Sequence, residues 1–345
     1  MMAKSTVILV LLAASVSAAL AESTCGSRSD GGGCHDRKES LKLKFIAIAS
    51  ILITSMVGVC LPLVTRAVPA LGPDRDAFVI VKAFASGVIL ATGYMHVMPD
   101  SFDDLRSDCL PENPWRKFPF TTFVAMLSAV ATLMVDSFAM AFYKKRNAKL
   151  LGVEDAAMNR GSKADRDAIV VMENGGTNHH GAKETLLRHR VVAQVLELGI
   201  VVHSVVIGLS MGTSDNPCTI RPLIAALCFH QMFEGMGLGG CILQAEFGMK
   251  LKAILVFFFS ATTPFGIALG IGLSNVYSED SPTALIVVGL LNASSAGLLN
   301  YMALVDLLGA DFMGPRLQAS MKLQGWAYVA VLLGAGLMAL MAKWA

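Results

Sequence analysis

Charge is what this chain has least of. Asp, Glu, Lys and Arg together make up 16% of its 345 residues, where a soluble protein carries about 25%. The shortage excludes an ordinary water-soluble domain and points to lipid as the main solvent. The small formal net charge of +2 comes with no basic, aromatic-rich patch, so nucleic acid is not an expected partner. Gly-x-x-x-x-Gly-Lys-Ser/Thr is missing, which removes the usual ATP-driven machinery. His-Glu-x-x-His is missing too, because His230 is followed by Gln231, and this weakens an intramembrane zinc-dependent hydrolase as a rival reading. No segment alternates polar and apolar residues long enough for a barrel strand.

Apolar runs fill what remains. Eight of them, at about 43–65, 77–101, 119–143, 191–212, 219–244, 251–276, 283–307 and 323–343, approach the ~20 residues that cross a bilayer as helix. Lipid offers the backbone no hydrogen bonds, so each run should be α-helical. The expected fold is an all-α integral membrane protein with eight transmembrane helices in a bundle.

The first residues read as a signal peptide, 1–21. Lys4 gives the basic start, Val7 to Leu12 the apolar core, and Ala19-Leu20-Ala21 a small-residue cleavage site. Residues 22–42 then form an external N-terminal segment, where Cys25 and Cys34 could pair in an oxidising compartment, or Cys34 with His35 could bind metal. Residues 43–143 hold spans one to three, 144–190 a polar and aperiodic cytoplasmic loop, and 191–345 spans four to eight. Lys144, Lys145, Arg146, Lys149, Arg188 and Arg190 flank that loop, which puts it on the cytoplasmic side. An even number of spans leaves both termini outside, in agreement with a cleaved signal. Such a chain reaches the plasma membrane or an internal membrane of the secretory route. A homodimer is compatible with the sequence, which does not fix the oligomeric state.

An ionisable residue at a helix centre in lipid costs at least ~2.5–3.5 kcal/mol on insertion scales, so those inside spans demand a reason. Three of the seven histidines, His96, His203 and His230, fall there. His230 and Glu234 are four apart and share one helix face, with Gln231 at its border. His203, beside Ser204 in the fourth span, is joined to that helix through a tight turn at Asn216-Pro217, so the two helices should be antiparallel neighbours with the histidines at similar depth. Two imidazoles and a carboxylate, completed by Ser204, Gln231 or water, suit Zn2+ and tolerate Fe2+ or Mn2+. A structural His–carboxylate pair is the bland alternative.

At the outer end of the second span, His96 and Asp100 are again four apart, followed by Asp103 and Asp104. They read as an acidic mouth that concentrates cations, or else as a solvated helix end. Asp136, Glu197 and Asp306 could line a pathway or pair with nearby Lys and Arg; Glu197 lies close in sequence to Arg188 and Arg190. The loop pair His179-His180 is a sparse metal-binding candidate.

Together these residues resemble the ZIP family of zinc- and iron-regulated transporter-like proteins, in its plant-type branch. The resemblance is carried by His203-Ser204 with Gly208, by His230-Gln231-x-x-Glu234-Gly235, by the run from Gly93 to Phe102, and by Tyr301-Met302-Ala303-Leu304-Val305-Asp306. It covers nearly everything after the N-terminal segment except the long loop. It implies eight helices in an inverted 3+2+3 arrangement, both termini outside, and a divalent metal ion, zinc first and iron or manganese next, moved into the cytosol. It further implies a transporter rather than an enzyme, with no prosthetic group. His203, His230 and Glu234 match the family's transport-site positions, with Ser204 and Gln231 adjoining. Where binuclear members carry glutamates, this chain has Ile207 and Thr263, so one principal metal site is expected.

Overall fold

The computed structural model describes residues 36–65, 75–161, 176–274 and 281–343. The signal-like residues 1–21, Cys25 and Cys34 lie outside them. Helices dominate, in the order α1 (Arg37–Thr65), α2 (Asp76–Leu105), α3 (Phe120–Gly161), α4 (Gly176–Thr213), α5 (Pro217–Gln244), α6 (Met249–Leu273), α7 (Pro282–Phe312) and α8 (Met321–Ala342). No strand occurs among the described residues.

Local chemistry sets the helix starts. Asn216 accepts the Cys218 N–H at 3.0 Å ahead of Pro217, Ser281 accepts from Ala284 at 3.2 Å, and Ser320 accepts from Leu323 at 3.3 Å. Each side chain satisfies one of the N–H groups a helix start leaves open. Seven of the described helices are long and apolar enough to cross a membrane. The remaining long one, α5, has 28 residues but is less apolar, because it carries Arg221, His230, Gln231 and Glu234.

Residues 144–161 and 176–190 differ from the aperiodic loop expected from sequence. Helix α3 continues to Gly161 and α4 already begins at Gly176. Once a helix is nucleated in lipid, each further residue adds a bond for little cost, and the Lys, Ala, Leu, Glu and Met residues here are good helix formers.

Close pairs of helices are built on glycines. A Cβ on Gly58 or Gly239 would strike the backbone of Met232 or Val59, which locks α1 to α5. Gly208, Gly212 and Gly270 play the same part between α4 and α6, Gly87 and Gly334 between α2 and α8, and Gly297 between α3 and α7. With α1 also packed on α6, the helices fall into two sets: α1, α4, α5 and α6, and α2, α3, α7 and α8. Between the sets, glycines face side chains instead: Gly199 meets Met302, Gly237 meets Ile89, and Gly240 meets Phe78. Helices α3 and α8 lie at the periphery, with 11% and 22% of their apolar windows buried against 67% for α2.

Two helices are interrupted by π-turns. In α2 the turn spans Gly93–Val97, and in α7 it spans Met302–Gly309. The π-turn of α2 packs on α7 just ahead of that helix's own π-turn: Gly93 sits against the Asn300 side chain. π-Turns inside α-helices often mark functional sites.

Candidate metal transport site

The cluster lies where α4 and α5 run side by side. Glu234 stands one helical turn beyond His230 on α5, so both side chains leave the same face. His203 comes from α4, and its ring centroid is 5.8 Å from that of His230, tilted by 48°. One ligand atom from each of His203, His230 and Glu234 falls within 4.8 Å of the others. All three residues are buried, at 1%, 0% and 0% exposure.

Hydrogen bonding makes the cluster chemically distinctive. Both ring nitrogens of His203 and of His230 and both carboxylate oxygens of Glu234 are buried without a hydrogen-bond partner. A buried polar atom left unpaired costs ~1–3 kcal/mol, and so many in one place would be ruinous in a structural pair. A divalent cation satisfies imidazole nitrogen and carboxylate oxygen together. Ser204 Oγ and Gln231 Nε2 are likewise buried and unpaired, while Thr263 Oγ1 donates to Gln231 Oε1 at 3.5 Å. Ser204 and Gln231 directly follow His203 and His230 in sequence.

His96 lies deeper than a mouth residue should. Its ring is 6.1 Å from that of His230, centroid to centroid, and is 6% exposed. It sits within the π-turn of α2, with Nδ1 3.9 Å from Asp100 Oδ2 and Nε2 unpaired. Asp100 and Asp103 are exposed, and Asp104 accepts from Asn292 Nδ2 at 3.4 Å. Asp100 and Asp103 thus lie at the surface, and His96 stands between Asp100 and His230. No sequence signal announces a π-turn, so the approach of His96 to His230 was not legible beforehand.

Other candidates resolve differently. Glu197 does not pair with Arg190, which donates to the carbonyl oxygens of Ala245 at 3.0 Å and Glu246 at 3.5 Å. Asp136 accepts from the Tyr301 hydroxyl at 3.4 Å, and Asp306 Oδ2 is buried and unpaired. The side chains of His179 and His180 lie outside the described residues. Cys109 and Cys218 are disulfide-bonded, whereas Cys60, Cys228 and Cys241 are free.

A multi-span helical bundle with unpaired imidazole and carboxylate groups buried at its centre defines a membrane protein that handles metal ions. The family model described as ZIP zinc transporter matches residues 41–342. The chain is 60% identical over 339 residues to "Fe(2+) transport protein 2" of Oryza sativa subsp. japonica, covering 93% of this chain and 90% of that protein. It is 57% identical to "Zinc transporter 7" of Arabidopsis thaliana, over 94% of this chain and 91% of the relative. To "Fe(2+) transport protein 1" of Arabidopsis thaliana it is 56% identical, over 99% and 97%. The chain belongs to the ZIP zinc transporter family. It is a divalent metal ion transporter, not an enzyme, and the ion is its cargo.

Proposed function

We propose that this protein carries Zn2+, and Fe2+ as a second cargo, across the plasma membrane into the cytosol, and that His203, His230 and Glu234 hold the ion midway. The observation that carries this reading is the set of three buried ligand atoms within 4.8 Å that lack any protein partner. The N/N/O donor set suits zinc at low coordination number. Imidazole and carboxylate discriminate weakly among divalent ions, and relatives of similar identity are named for Fe(2+) as well as for zinc. Iron as a second cargo rests on those two facts.

The proposed route begins at Asp103, Asp104 and Asp100, whose charge gathers cations from outside. His96 takes the ion from Asp100 and passes it to His230, shedding water on the way. At the cluster, Glu234 contributes the negative charge and the imidazoles replace the lost hydration; Ser204, Gln231 or water completes the shell. Helices α1 to α8 are read as eight spans with both ends outside. The disulfide-bonded state of Cys109 and Cys218 supports an oxidising compartment on the side of Asp100. All three ligands come from one chain, so the site needs no second copy.

Release then requires the two helix sets to shift against each other. Backbone-to-backbone glycine contacts hold each set together, and the softer side-chain contacts between the sets support such a movement. The test is uptake of radiolabelled zinc by vesicles bearing His203→Ala or Glu234→Ala at equal surface expression. Loss of flux is the expected result, and unchanged flux would overturn the assignment.

A further inference from the structure

A lysine buried inside a membrane span must be held by something. Lys82, on α2, is 6% exposed. Its Nζ donates to Asp311 Oδ1 at 2.9 Å and to Gln244 Oε1 at 3.1 Å. Asp311 lies at the end of α7, in the same helix set as Lys82. Gln244 is the last residue of α5, in the other set. Several side-chain bonds among the described helices stay within one set: Ser101 to the Gly289 carbonyl, Ser128 to the Ser294 carbonyl and Tyr301 to Asp136 in the second, and Thr263 to Gln231 in the first. The Lys82–Gln244 bond bridges the two.

Its place in the molecule gives that bridge a purpose. Between the transport cluster and Gln244, the sets meet in an apolar plug. Leu196, Ile200, Leu238 and Ile242 pack there with Ile89 and Met302, each fully buried. The plug closes the route on the Gln244 side, which the proposed orientation makes cytoplasmic. Beside the bridge lies a cavity of about 270 Å³ lined in part by Lys82, His189, Gln244, Asp311 and Arg316, through which water can reach the bond once it loosens.

We propose that Lys82 and Gln244 form the inner latch of this transporter: their bond holds the two helix sets together below the metal site and breaks when the ion is released. The two partners of Lys82 divide the work. Asp311 travels with Lys82 and keeps the ammonium paired in either state, so no isolated buried charge appears on opening. Gln244 is neutral, and a hydrogen bond to an amide is weaker than one to a carboxylate. The bond that must break is therefore the weaker one. Lys82 and Gln244 act as positioning residues, touching no ion themselves. The proposal rests on the transport reading for its purpose, though not for its test.

The native thiol of Cys241 reports on the latch. It belongs to the plug, is 2% exposed, and precedes Gln244 by about one turn on α5. The full chain, with Cys60→Ala and Cys228→Ala, would be placed in inside-out vesicles without zinc. A charged, membrane-impermeant methanethiosulfonate reagent is then added at the cytoplasmic face. Gln244→Ala should speed labelling of Cys241 roughly five- to tenfold, by shifting the population towards the parted state. Gln244→Glu, similar in size but a stronger partner for Lys82, should slow labelling below the parent and lower maximal zinc flux with KM unchanged. A purely local loosening around residue 244 would not produce opposite effects from the two variants. Equal labelling rates in parent, Gln244→Ala and Gln244→Glu would overturn the latch. Labelling that follows the latch in a chain whose zinc flux survives His203→Ala would instead overturn the metal site and leave the latch standing.

Discussion

His96 and His230 come from distant parts of the chain, yet their rings lie 6.1 Å apart, centroid to centroid, and are tilted by 45°. One reaches in from the acidic mouth and the other belongs to the transport cluster. On the proposed route, an ion leaving Asp100 meets imidazole before it meets Glu234. Replacing His96 with Ala should remove a stepping stone without dismantling the cluster. The expected result is a zinc KM raised by about tenfold at similar folded protein, against complete loss for His203→Ala. Initial-rate uptake over a zinc titration makes the comparison.

Thr263 is fully buried on α6 and contacts Gln231. Thr263→Glu would add a carboxylate beside Gln231 and Glu234. Greater negative charge should let the protein hold a second divalent ion and hold the first more tightly. Metal content after exhaustive dialysis should rise by about one ion per chain, and turnover should fall, because an ion bound too firmly leaves slowly. Unaltered metal content would count against the one-site reading of this chain.

The glycine contacts separate by what they face. On Gly87 a Cβ would run into the Val331 carbonyl, which belongs to backbone and cannot swing aside. On Gly240 it would stand 3.4 Å from Phe78 Cζ, an ordinary contact. Gly87→Val should therefore destabilise by about 1–3 kcal/mol, as overpacking does, and Gly240→Ala should cost much less. Thermal unfolding of the detergent-solubilised variants reads the difference.

A metal-binding imidazole must be free of its proton, so protons and metal compete for the same nitrogen lone pairs. Acidifying the outer medium should raise the zinc KM, and added zinc should restore the rate. The sign is fixed by the histidines: neutral imidazole binds and imidazolium does not. Zinc uptake measured across an external pH series checks it.

Much of this was legible in the sequence, for identifiable reasons. The pairing of His230 with Glu234 follows from helical period alone, and the tight Asn216-Pro217 turn puts His203 beside them. Apolar run length located the seven helices long and apolar enough to span, because lipid leaves the backbone no alternative. The extension of α3 to Gly161 and of α4 back to Gly176 was not legible, since the sequence there is polar and shows no apolar period. The partners of Lys82 were hidden as well: Gln244 and Asp311 are 162 and 229 residues away along the chain, and pairing at that range depends on how the helices pack. For Glu197 the sequence left two readings open, and of these the bond to Arg190 is not made, because Arg190 donates to backbone carbonyls instead.

The π-turn at Gly93–Val97 changes the phase of α2. An α-helix advances about 100° per residue, from 3.6 residues per turn, and a π-turn amounts to one extra residue accommodated without ending the helix. Everything from Met98 outward, Asp100 and Asp104 included, is thereby rotated relative to the part of α2 that holds Lys82. Deleting a single residue from Gly93–Val97 would let the helix relax to regular winding and swing the acidic side chains about a quarter of a turn around its axis. One surplus residue thus sets the bearing of the mouth on the histidines beneath it.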